Sequence, residues 1–128
     1  PDATARNLSG MNTWAAANDA YTPILEFLDV LCPSLYRFFV DTPEYYIQYN
    51  LSEALRIGGG KPLYPFLWSQ YHNAAEPPEI RLQNMSMANW EQDIRWCRDF
   101  GADGIICWNS TEPYIERAAE LQYEPPEE

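Results

Sequence analysis

Three strongly apolar segments constrain most tightly how this chain of 128 residues can fold. They read VLCPSLY, PLYPFLW and GIICWN, and they span Val30–Tyr36, Pro62–Trp68 and Gly104–Asn109. Each is a nearly continuous apolar run without clean alternation, which is typical of parallel strands that are covered on both faces. The sequence therefore predicts three buried parallel strands.

Segments with helical spacing surround these predicted strands. Apolar residues recur with this spacing around residues 23–28, between 42 and 57, from about 88 to 99, and from about 112 onward. The glycines at 58–60 and Gly101 predict where the second and third of these helices end. After the short first helix, the order is β-α-β-α-β-α, which is an α/β fold of three consecutive parallel βα units with right-handed crossovers.

An isolated sheet of three parallel strands would be open at both edges. Open edges present unpaired backbone groups, and helices cover the flanks of so small a sheet poorly. We therefore expect residues 1–128 to be a single domain or a fragment of a larger barrel or sheet. An upstream half or a homo-oligomer would cover the edges. The acidic residues Glu124–Glu128 are expected to form a frayed tail.

The charge balance excludes two classes of partner. The chain has 19 acidic and 8 basic residues and a formal net charge of −11. Binding to nucleic acid or to an anionic membrane surface requires clustered basic residues. No apolar run approaches the roughly 20 residues of a membrane span. We therefore predict neither nucleic acid nor membrane as a partner.

Sequons and cysteines bear on compartment and cofactors. Four of the eight asparagines begin N-x-S/T sequons, which is compatible with secretion. They are Asn7, Asn50, Asn84 and Asn109. No signal peptide or methionine opens the chain, so a processed product or a fragment is expected.

The three cysteines lie in apolar stretches without metal-ligand spacing and predict buried thiols. No phosphate-binding loop or nucleophile elbow is present, and no cofactor is predicted.

Aromatic and polar residues collect at the end of each predicted strand, where function gathers in parallel α/β folds. They are Ser34, Tyr36 and Arg37 on the first strand, Trp68, Gln70, Tyr71 and His72 on the second, and Trp108, Asn109 and Ser110 on the third. Flat rings stack on the C–H faces of sugars, while amides and hydroxyls bond the sugar hydroxyls. This pattern predicts a carbohydrate site. The alternative is that the rings form the rim of a core, with their polar tips in water.

No catalytic acid or base emerges from the sequence. Glycosidases commonly use a pair of carboxylates, and no D-x-E or E-x-D pair lies at a predicted strand end. Glu112 is a minor candidate for the site, although a glutamate before Pro113 also suits the first turn of a helix. Asp41 and Glu76 fall in predicted loops. His72 is the single histidine, and a solvated loop position is expected for it.

Three stretches, in order, resemble the C-terminal half of hyaluronidase-type glycoside hydrolases. LCPSLY (Leu31–Tyr36) resembles that family's LYPSIY strand. LSEALRIGGGKPLYPFLWSQY (Leu51–Tyr71) resembles a helix with EALR followed by a PVYxYxRxxY strand. NMSMANWEQDIRWCRDFGADGIICWNS (Asn84–Ser110) resembles LSxxDLxxxIGxxAxxGAAGIIxW. The resemblance covers about residues 18–110.

The resemblance implies a fold, an activity and residue roles. The fold is a (β/α) barrel of the TIM type, here a partial barrel, and the activity is hydrolysis of an amino-sugar polymer. The positions of Tyr71 and Trp108 match a tyrosine and a tryptophan of the substrate cleft, and Tyr36 matches an aromatic of the first strand motif. Cys32 and Asn109 depart from the family pattern. The family's catalytic acid belongs to a D-x-E pair on an earlier strand than any in this chain.

Three functional hypotheses follow. The first is a glycoside hydrolase-like segment that supplies aromatic carbohydrate subsites, with the acid supplied upstream and this segment inactive alone. The second is a non-catalytic, oligomeric half-barrel that binds carbohydrate or a protein partner. The third is an unrelated α/β protein whose aromatic strand ends are the rim of a core.

Overall fold

The computed structural model describes residues 8–42 and 44–122. In chain order its elements are α1 (Leu8–Asp19), α2 (Thr22–Leu25), α3 (Glu44–Gly58), β1 (Phe66–Trp68), a 3₁₀ turn (Pro78–Ile80), α4 (Met87–Asp99), β2 (Ile106–Trp108) and α5 (Glu112–Gln122). The Asn7 sequon and the predicted acidic tail, Glu124–Glu128, lie outside the described residues. No helix in the described part has the length and apolar character that crossing a membrane requires.

The predicted helices are confirmed, and local chemistry explains their ends. Ser86 caps α4, because its hydroxyl oxygen accepts a hydrogen bond from the Asn89 amide at 3.1 Å. Gly101 follows α4 with φ of 103°, a conformation that side chains with a Cβ rarely adopt. Helix α3 ends at Gly58, at the start of the glycine run.

The predicted fold of three consecutive parallel βα units, a partial TIM-type barrel, is wrong. Roughly half of the described residues are helical, and the described part contains a single two-stranded sheet. In it β1 and β2 are parallel, each with three residues. The first predicted strand, Val30–Tyr36, forms only isolated parallel bridges, Leu31 with Leu63 and Ser34 with Phe66.

Prolines explain why the ladders are so short. The carbonyls of Pro33, Pro62 and Pro65 accept hydrogen bonds of 2.8–2.9 Å from neighbouring segments. Proline has no N–H and cannot return a bond, so each proline interrupts the regular exchange that defines a strand. The apolar segments therefore lie side by side in parallel, but regular pairing survives only between β1 and β2.

Residues 63–71 alternate between two environments, although the sequence predicts burial on both faces. The buried residues are Leu63, Pro65, Leu67, Ser69 and Tyr71, and the partly exposed ones are Tyr64, Phe66, Trp68 and Gln70. Leu63, Leu67 and Tyr71 belong to one core with apolar residues of α3, α4 and α5. The helices thus pack on one face, and the opposite face keeps aromatic rings partly exposed.

Trp90 and Tyr114 join α4 to α5 within this core. The Trp90 indole N–H donates to the Tyr114 carbonyl at 2.9 Å, and the two rings meet edge to face at 5.8 Å. The Tyr114 hydroxyl donates to the Met85 carbonyl at 2.6 Å. These bonds satisfy the polar atoms of the buried Trp90 ring and the partly buried Tyr114 ring, so α4 and α5 form a fixed support behind the sheet.

Candidate aromatic carbohydrate surface

A row of three aromatic residues crosses the carboxyl ends of the parallel segments. The register of the sheet makes Trp68 and Trp108 Cα partners. The bridge between Ser34 and Phe66 places Tyr36, two residues later, beside Trp68. Their rings meet edge to face with centroids 5.6 Å apart. Trp108 ends the row with 51% of its surface exposed.

Four rings pack together at the Tyr36 end of this row, and we name them the aromatic cluster. They are Tyr36, Phe38, Trp68 and His72. The His72 ring stacks on Tyr36 at 6.2 Å, lies 4.4 Å from Phe38 and meets Trp68 edge to face at 6.0 Å. All four side chains are partly exposed, so the cluster presents ring surface to solvent.

The loop after β1 fixes His72 in the cluster. The His72 amide donates to the Arg37 carbonyl at 2.9 Å, and the Glu76 amide donates to the Phe38 carbonyl at 2.8 Å. The loop therefore runs beside residues 37 and 38 and extends the contact between the first two segments. His72 lies in a loop, as expected, and its ring is half-buried among the three others.

Polar groups flank the row, mostly at the surface. The Ser110 hydroxyl donates to the Trp108 carbonyl at 3.0 Å and accepts from the Ser69 amide at 3.4 Å. Asn109 is exposed and has φ of 42°. Gln70 is half-buried and forms an antiparallel bridge with Asn84. The amide and hydroxyl groups at these positions can donate to and accept from a polar ligand.

Two of the sequence candidates lie apart from the cluster. Tyr71 is in the core with 6% of its surface exposed, and its hydroxyl accepts from the Asn89 amide group at 3.4 Å. Tyr71 follows the two-residue alternation of residues 63–71, so its side chain lies on the face that packs against the helices. Glu112 is exposed in the first turn of α5, where an acid suits the helix dipole.

The indole nitrogen of Trp68 is a donor without a partner. Trp68 Nε1 is buried and makes no hydrogen bond to any residue in the described ranges. A buried N–H left in this state costs free energy, and such groups are rare in folded proteins. The unpaired donor lies within the aromatic cluster and sets it apart from a fully satisfied core.

The carboxyl groups of Glu76 and Asp93 are both paired with arginines. Glu76 is exposed and pairs with Arg81 at 2.7 Å. The buried carboxyl is that of Asp93, whose pKa burial raises while the hydrogen bonds and charge of Arg37 oppose the rise. Asp93 lies on α4, behind the sheet. Within residues 8–42 and 44–122, no group of three or more His, Cys, Asp or Glu side chains could hold a metal ion.

The sequence pattern did not point to Phe38, and it placed His72 at a strand end without giving it a role in the site. The missed signal is the two-residue alternation, because Phe38 follows Tyr36 by two positions and His72 follows Trp68 by four.

The three cysteines are free thiols, with Cys97 buried and the other two half-buried.

Comparison with known proteins points to a distant relative. The chain is 31% identical to a hyaluronidase from Apis mellifera over 114 residues, which cover 83% of this chain and 28% of the hyaluronidase. No protein-family model matches the chain. No solved structure matches it. The chain is therefore distantly similar to a hyaluronidase and spans less than a third of that protein's length.

Proposed function

We propose that this chain is a glycoside hydrolase-like segment whose aromatic row binds an amino-sugar polymer. In this proposal Tyr36, Trp68 and Trp108 supply ring faces, and Asn109, Gln70 and Ser110 supply hydrogen bonds. The catalytic acid comes from outside these 128 residues, so the chain by itself binds sugar without hydrolysing it.

The observation that carries the proposal is the alignment of Trp68 with Trp108 at the ends of paired strands. Adjacent aromatic side chains on one face provide apolar ring surface of the kind that sugar rings stack on. Trp108 is 51% exposed at the end of the row, whereas Trp90 in the core is 0% exposed. The similarity to a hyaluronidase supports an amino-sugar polymer as the ligand.

A second function is favoured by the partly exposed apolar face. Exposed apolar patches on soluble proteins frequently mark protein interfaces. Trp108 and the aromatic cluster would then contact a protein partner or another copy, and the chain would have no catalytic role. Glycan binding and self-association distinguish the two functions directly.

Calorimetric titration with amino-sugar oligosaccharides tests the proposal. Wild-type chain should bind, and Trp108→Ala should weaken binding by roughly tenfold, because a stacking surface is lost. Phe27→Ala is the matched control, since Phe27 is an 86% exposed ring outside the row. Equal affinity of wild type and Trp108→Ala would contradict the proposed surface.

A further inference from the structure

We propose that this surface selects uncharged amino-sugar chains, of the N-acetylglucosamine type, over uronic acid polymers such as hyaluronan. The inference rests on the proposed function and specifies its ligand class. A uronic acid polymer carries a carboxylate on alternate sugars, and a site for it needs cations to balance that charge.

The cations that the structure describes lie in ion pairs or away from the aromatic row. Every arginine in the described ranges makes an ion pair with an aspartate or glutamate. Arg37 follows Tyr36 directly, but its guanidinium is 2% exposed and bonds Asp93 behind the sheet. Lys61 precedes the amino end of β1, and the aromatic row lies at the carboxyl end.

The cation closest to the aromatic cluster along the loop is neutralised. Arg81 donates to the Ala75 carbonyl and bonds the Glu76 carboxylate, both at 2.7 Å. At the other end of the row, Glu112 is exposed four positions after Trp108 and makes no ion pair with a described residue. The formal charge around the row is therefore negative, as in the chain as a whole.

His72 presents a hydrogen-bond donor to this surface. Its Nδ1 accepts a hydrogen bond from the Ala74 amide at 3.0 Å, which favours the tautomer with the proton on Nε2. Nε2 makes no bond to a described residue and is not one of the buried polar atoms without a partner, so it reaches solvent. His72 thus offers an N–H donor to a sugar hydroxyl or acetamido carbonyl.

Competing titrations test the selectivity. Chitin oligosaccharides should bind about tenfold more tightly than hyaluronan oligosaccharides of equal length at low salt. Raising the ionic strength shortens the Debye length from about 30 Å at 0.01 M to about 3 Å at 1 M. Affinity for hyaluronan should therefore rise with salt, because repulsion is screened, while affinity for chitin oligosaccharides should stay constant.

A charge-adding variant sharpens the test. Asn73→Arg places a cation on an exposed position beside His72, and it should raise hyaluronan affinity severalfold without changing chitin binding. Gln92→Arg adds the same charge at an exposed position on α4, behind the sheet, and should change either affinity much less.

Each outcome has a defined meaning. Hyaluronan binding as tight as chitin binding, or hyaluronan binding that weakens with salt, would overturn the selectivity and leave the proposed carbohydrate surface intact. Binding of neither oligosaccharide would overturn the proposed function and the selectivity together.

Discussion

Arg37 and Asp93 form a buried ion pair that ties the end of the first apolar segment to α4. Arg37 Nη2 lies 2.7 Å from Asp93 Oδ1 and Arg37 Nε lies 2.8 Å from Oδ2, with both side chains 2% exposed. Arg37 also donates to the Val40 carbonyl at 2.7 Å. The pair holds Tyr36 and Phe38 in place, because both rings flank Arg37 in the chain and point to the other face.

Loss of one partner should destabilise the fold strongly. Asp93→Ala leaves the Arg37 charge buried without a counterion, and we expect a loss of about 3–5 kcal/mol in the free energy of unfolding. Glu76→Ala is the control, because its pair with Arg81 is exposed and should contribute about 0–1 kcal/mol. Urea unfolding measures both. Similar losses in the free energy of unfolding for the two variants would show that the buried pair stabilises the fold no more than the exposed pair does.

Removing the Ser69 hydroxyl should not destabilise the protein. Ser69 is 1% exposed, and its hydroxyl has no hydrogen-bond partner among the described residues. Ser69→Ala removes the buried hydroxyl that lacks a hydrogen bond, so the free energy of unfolding should be unchanged or higher by about 1 kcal/mol. Thr42→Val is the control, because the Thr42 hydroxyl donates to the Phe39 carbonyl at 3.0 Å. Its loss should cost about 1 kcal/mol in thermal or urea unfolding. A clear loss from Ser69→Ala would reveal a partner for this hydroxyl.

Cys97 should make stability fall at alkaline pH. Burial raises the pKa of its thiol, and the charge of Asp93 raises it further. Thiols of the unfolded chain titrate near pH 8.5, so above that pH the unfolded state loses a proton that the folded state keeps. This contribution lowers the free energy of unfolding by about 1.4 kcal/mol for each further pH unit.

Comparison with Cys97→Ala isolates this contribution. The variant has a packing defect at every pH but no thiol to titrate. The stability advantage of the wild type should therefore shrink between neutral pH and about pH 10 in urea unfolding series. A constant difference across that range would contradict the prediction.

His72 should be held in a single tautomer. The bond from the Ala74 amide to Nδ1 requires the neutral ring to carry its proton on Nε2. Because the chain has one histidine, long-range ¹H–¹⁵N spectra report this ring without overlap. One donor-type and one acceptor-type nitrogen signal are expected for the neutral ring. Averaged nitrogen shifts, as in a ring that exchanges between tautomers, would show that the bond does not persist.

Local patterns were sufficient to predict α2 to α5, whereas α1 (Leu8–Asp19) was not predicted. The apolar spacing of Trp90, Ile94 and Cys97 and the glycine after α4 place that helix to within one residue of its observed start. These signals succeed because hydrophobic spacing, caps and glycine breaks act within one or two turns of chain. The parallel alignment of β1 with β2 was also predictable from their apolar character.

The prediction of three full strands was wrong because apolar character alone does not ensure regular backbone hydrogen bonding. Pro33 and Pro65 suit a buried segment by hydropathy, yet each removes a donor from the ladder. The continuous apolar runs also concealed the alternation, because aromatic residues occupy both faces. Tyr71 and His72 are neighbours in sequence, and that alternation sends one to the core and the other to the aromatic cluster.

The sequence by itself determined where α2 to α5 form, which segments are apolar and which aromatic residues end them, because spacing and residue chemistry are local properties. Only the tertiary structure decided which rings share a face, that Arg37 is neutralised by Asp93 across 56 positions, and that His72 joins Tyr36 and Phe38. Those outcomes depend on register and on contacts between distant residues. A shift of one residue in register would exchange the core face for the exposed one.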